Sequence, residues 1–161
     1  LRYCEISDIK VIASSLLINK LKKGMKLASK SDNKINEENL QKLIELSVFM
    51  RRKTEEERKY GNSMNSLVKY SNVGQYIDDA SSIDFESALS KIIHAYNIQF
   101  EYEDVQGVKS YGYDSDRNSK YTGNVLICGK KRDGSDYHGK IDIIKFCINV
   151  FVYTADHYSM M

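Results

Sequence analysis

The chain holds 161 residues with 24 Lys and Arg against 22 Asp and Glu, a net charge of +2, which is length enough for one domain with a real core and too even a balance for a bulk polycation. Its three cysteines, Cys4, Cys128 and Cys147, lie far apart with no C-x-x-C between them, which supports neither a disulfide framework nor a zinc ribbon. No charged-then-apolar leader opens the chain, no N-x-[ST] acceptor occurs, and no apolar run reaches the roughly 20 residues that span a bilayer, so a reducing, cytoplasmic location is the expectation.

In chain order, Asp8 to about Lys30 reads as a first helix, with Ile9, Ile12, Leu16, Leu21, Met25 and Leu27 in loose helical spacing and Ser7 or Asp8 as its cap. Lys20, Lys22, Lys23 and Lys26 make its second half basic. Ser29 to Asn36 is a polar linker, and Asn36 caps a long second helix predicted to run to about Tyr70. One face of that helix carries Leu43, Leu46, Met50, Tyr60, Met64 and Leu67, interrupted in the middle by Lys53 and Glu57. Asn72-Val73-Gly74 supplies the stop. A polar loop through Ser81-Ser82 then leads to Asp84, the cap of a third helix built on Phe85, Ala88, Leu89, Ile92, Ile93, Tyr96, Phe100 and Val105. The acidic run Glu101-Tyr102-Glu103-Asp104 opposes the dipole of that helix and predicts fraying before Gly107.

Past Gly107 the composition changes. Tyr111 to Gly123 is rich in Gly, Ser, Asp and Tyr, Asn124 to Cys128 reads as a short strand, and Arg132-Asp133-Gly134-Ser135 as a turn. Ile141 to Tyr153 is ambiguous: its β-branched and aromatic content suits a strand, while Asp142, Lys145 and Asn149 are spaced as on the polar side of a helix.

Few residues point to chemistry. Asp114, Asp116 and Asn118 have the opening spacing of a calcium loop, but Ser119 stands where the turn needs Gly and Val125 where a bidentate Glu belongs. Gly129 and Gly134 have the spacing of a phosphate loop without its Lys, and a DG hairpin turn accounts for them better. His94, His138 and His157 show no metal spacing, Asp136 and His138 are too close in sequence for a catalytic pair, and no serine sits in a nucleophile-elbow pattern. The expectation is therefore no metal, no cofactor and no enzyme. The basic stretch from Lys20 to Lys34 lacks interleaved aromatics, so no specific nucleic acid is expected either.

The run from Phe49 to Lys69 resembles the FCH signature that opens F-BAR domains. Phe49, Met50, Glu57, Tyr60, Gly61, Met64, Leu67 and Lys69 match it in type, while Lys53, Thr54, Glu56 and Asn62 replace its usual Arg, Ala, Ile and Lys. With Leu16-Leu17, Gly24 and the helix after Asp84, the likeness extends over Leu16 to Val105, the first third of such a domain. The resemblance implies a mostly α fold: an elongated F-BAR helical hairpin or coiled-coil bundle over residues 8–105, within a segment 1–106, followed by a β-containing or irregular tail over 107–161. It implies a peripheral membrane module that senses curvature, binds anionic phospholipid and links endocytosis to the cytoskeleton through a protein partner. By the resemblance Arg51 and Lys53 would be the lipid contacts, with Arg52, Lys59 and Lys69 as supporting candidates by charge alone, and Phe49, Met50, Tyr60, Met64 and Leu67 in a homodimer or bundle core.

The alternative is a compact α+β domain that binds a protein partner or is an enzyme of unrecognised type. The two differ in the tail, because an integrated domain should bury Ile127, Ile143 and Phe146 against the helices.

Overall fold

The computed structural model describes residues 13, 32–59, 66–111 and 119–159. In chain order the elements are α1 (Asp32–Lys59), α2 (Ser66–Lys69), β1 (Asn72–Tyr76), β2 (Ser82–Asp84), α3 (Phe85–Ile93), β3 (Asn97–Glu103), β4 (Lys109–Tyr111), β5 (Lys120–Lys130), β6 (Asp136–Asp142) and α4 (Ile143–Ser159). The six strands form one antiparallel sheet in the order β2-β1-β6-β5-β3-β4.

The sheet exists because its strands alternate. In β5 Tyr121, Gly123, Val125, Ile127 and Gly129 are buried at every second position, with Cys128 buried as well near the strand's end, and in β6 Tyr137, Gly139 and Ile141 are, the period-two pattern of a sheet covered on one side. Gly134, at φ +86°, turns the hairpin between these strands, and the Asp133 carboxylate accepts from the Ser135 amide at 2.9 Å. Gly139 carries no side chain for a packing reason: an added Cβ would stand 2.9 Å from the Ile83 Cδ1 and 3.2 Å from the Ile127 Cγ1.

Both longer helices that follow strands start by one device. Ile83-Asp84-Phe85 and Ile141-Asp142-Ile143 end β2 and β6 and begin α3 and α4. The Asp84 carboxylate accepts the Ser87 amide at 2.7 Å, and Asp142 accepts that of Lys145 at 3.1 Å. The apolar residues just inside these caps meet, with the Phe85 and Phe146 ring centroids 5.2 Å apart. α3 is anchored to the sheet where the Tyr137 hydroxyl donates to the Lys91 carbonyl at 2.9 Å. α1 packs over α3 and reaches α4: Leu43, Leu46 and Met50 are fully buried, Arg58 pairs with Glu86, and the Tyr153 hydroxyl donates to Glu57 at 2.7 Å.

This fold overturns the F-BAR reading. The described residues form a compact α+β domain, with helices packed on a six-stranded sheet, and among them there is no helical hairpin or coiled-coil bundle of the F-BAR kind. Ile127, Ile143 and Phe146 are 0–2% exposed, which is the outcome expected of the integrated alternative. The third helix stops at Ile93, and Asn97–Glu103 leaves it to become β3, hydrogen-bonded to β4 and β5. Asn72-Val73-Gly74, read as a helix stop, belongs to β1. Of the long helix expected to reach about Tyr70, Asp32–Lys59 and Ser66–Lys69 are described as helical, and residues 60–65 between them lie outside the described residues. The first predicted helix lies outside the described residues apart from Ala13, which is helical and fully buried.

Candidate functional site

Two surfaces concentrate chemistry: the side of the sheet opposite the core, and the outer side of α4.

On the first, Thr122, Asn124 and Lys140 alternate with the core residues of β5 and β6 and so point away from the helices. Between Phe100 and Tyr102 the register of β3 against β5 shifts, opposite Gly123 at φ +95°, a conformation that glycine tolerates and side chains resist. Through this irregularity Glu101 stands against Thr122 and Asn124 together. Its Oε1 accepts from the Thr122 hydroxyl at 2.9 Å and the Asn124 amide at 3.1 Å. Its Oε2 accepts from the Lys140 ammonium at 2.6 Å and the Tyr111 hydroxyl at 3.0 Å, and the Lys109 ammonium lies 3.9 Å from Oε1. The carboxylate is wholly buried although it sits on the side away from the core.

Burial alone would raise the Glu101 pKa, but the bonds from Lys140, Asn124, Thr122 and Tyr111 outweigh it and hold the group down at about 2. The partner Lys140 is correspondingly raised, its desolvation overcome by the Glu101 bond. Such a carboxylate stays ionised at neutral pH. It can bind four strands together, β3 with β4, β5 and β6, and has no proton to give in general acid catalysis.

Cys128 and His138 face each other across the β5–β6 pair, and His138 Nδ1 lies 3.9 Å from the Asp78 carboxylate. The resemblance to a nucleophilic triad is positional. Burial, and then the charge of Asp136, push the Cys128 thiol up, the opposite of what an activated thiolate needs. Cys147 is pushed up to about 12 by burial and by Asp142, and it serves the core.

The second surface comes from α4. Ile143, Phe146, Cys147, Val150 and Tyr153 enter the core. Ile144, Ile148 and Val152, four residues apart, form a second apolar stripe on the other side, 37%, 50% and 42% exposed. Lys145 is the exposed charge beside it. Among the described residues no other element presents three exposed large apolar side chains at successive turns; the nearest is α1, with Ile44 and Val48.

The cations named as lipid contacts, by resemblance or by charge, lie as follows in the fold. Arg51 pairs with Glu55 at 3.1 Å and meets His94 Nε2 at 3.1 Å, Lys53 reaches Glu56 at 3.7 Å, and Lys69 reaches Glu86 at 3.4 Å. Arg52 is half-buried and Lys59 is exposed at the end of α1. The F-BAR function, with its lipid-binding and curvature-sensing role, falls with the fold that was to carry it. Of the residues assigned to a dimer or bundle core, Met50 is fully buried within this domain and Phe49 packs at its edge. Tyr60 and Met64 lie outside the described residues; Leu67 belongs to α2 by its backbone only. Among the described residues no group of His, Cys, Asp or Glu is arranged to hold a metal ion, and no helix is long and apolar enough to cross a membrane. The calcium-like spacing at Asp114, Asp116 and Asn118 lies outside them.

Sequence reasoning missed both surfaces. Glu101 was read as the fraying end of a helix, and nothing local marks it as the partner of residues 21, 23 and 39 positions later. The α4 stripe had a signal, since Ile144, Ile148 and Val152 sit at the four-residue spacing of a helix, but the equally apolar core side hid it. Comparison of the chain with protein-family models, curated proteins and solved structures finds no match.

Proposed function

We propose that the chain is a protein-interaction domain that docks its partner on the outer side of α4. The observation that carries this reading is the stripe Ile144, Ile148 and Val152, three β-branched side chains left in water on a helix whose core side is already filled. A helix that only closes a domain keeps its outer side polar.

The size of the effect defines the kind of interface. The exposed fractions amount to somewhat more than one whole side chain, and full burial of such a side chain contributes about 1.5–3 kcal/mol, so the stripe supplies roughly 2–4 kcal/mol. Association itself costs at least about 4 kcal/mol. The stripe is thus the apolar anchor of a wider contact, with polar neighbours such as Lys145 in its rim. Two copies paired through α4 would bury two such stripes, roughly 4–8 kcal/mol against the same association cost, so a second copy and a different protein are separated by the test below.

The test compares tagged wild-type protein with Ile148→Asp and with a control, Gln75→Asp, at an exposed position of β1. Proteins captured from cells that express the chain are quantified, and circular dichroism verifies that all three forms fold. A partner retained by wild type and control and depleted at least tenfold by Ile148→Asp supports the reading. Equal capture by folded Ile148→Asp overturns it. Sedimentation velocity over a range of concentrations shows whether the retained partner is a second copy.

A further inference from the structure

We draw no further inference here: the strongest candidate, the Glu101 carboxylate cluster on the side of the sheet away from the helices, has both oxygens saturated by Lys140, Tyr111, Thr122 and Asn124 of the chain itself and so points to no ligand.

Discussion

The two sides of the sheet are made by the same strands and held by different forces. Toward the helices, Val125, Ile127, Tyr137 and Ile141 are 0–2% exposed and cohere by removing apolar area from water. On the other side, Thr122, Asn124 and Lys140 converge on one buried carboxylate, and cohesion depends on satisfying a charge. An apolar core tolerates conservative changes in proportion to the volume lost. The Glu101 cluster tolerates little, because removing one member leaves its partners with unmatched charge or donors.

The largest effect should come from the helix side. Phe146→Ala removes a fully buried ring and its contact with Phe85, and should cost about 3–5 kcal/mol, read as a fall in the urea midpoint with an unchanged slope.

Next comes Glu101→Gln, which keeps shape and one acceptor but leaves Lys140 without its counter-charge. Because Lys140 is 26% exposed and can reach water, a loss of about 2 kcal/mol at pH 7 is expected. The pH dependence separates this from lost packing. The folded-state pKa of Glu101 is depressed from an ordinary glutamate value of about 4.3 to about 2, so its contribution is complete above about pH 5 and is lost as pH falls toward 2. The gap between wild type and Glu101→Gln should therefore shrink across that window, whereas the gap for Phe146→Ala should not track it. Denaturation curves at pH 7, 4 and 2.5 decide it, and a constant Glu101→Gln gap would refute the assignment.

A smaller loss is expected at the junction that both sides share. Asp84→Ala removes the cap of α3 and should destabilise by about 1 kcal/mol, detected in the thermal midpoint and in faster amide exchange at Ser87.

Smallest of all, Ile148→Asp should shift stability by less than about 0.5 kcal/mol, since the side chain is half exposed already, while abolishing partner capture. A large loss of stability would mean that the stripe is core rather than docking surface.

Several local features were legible before any tertiary structure. Asp84 caps a helix, Asp133-Gly134 turns a hairpin, Asn124 to Cys128 is strand, and Leu43, Leu46 and Met50 share the buried side of α1. A repeat was also there to be found: Ile83-Asp84-Phe85 and Ile141-Asp142-Ile143 spell the same strand-to-helix junction twice. Seen together, they would have ended one strand at Asp142 and begun a helix at Ile143, resolving the ambiguous stretch from Ile141 to Tyr153. That stretch mimicked a strand because α4 is apolar on two sides, with Phe146 and Val150 inward and Ile144 and Ile148 outward, which blurs the helical period.

The resemblance to F-BAR domains rested on Phe49 to Lys69, where helical spacing of charged and apolar residues recurs in many folds. The third helix extends through Tyr96 and Phe100 in the sequence reading because their spacing from Ile92 and Ile93 is helical. Whether Asn97–Glu103 is helix or strand depends on hydrogen bonds offered by β5, which begins 17 residues after β3 ends.

What the sequence by itself determined about this protein is therefore local: caps, a turn, and the inward side of α1, each set by interactions within a few residues. Tertiary structure alone decided the sheet, the burial of Glu101 and the outward exposure of the α4 stripe. Strand pairing, charge neutralisation and burial are set by partners distant in the chain, and their energies depend on which surfaces meet.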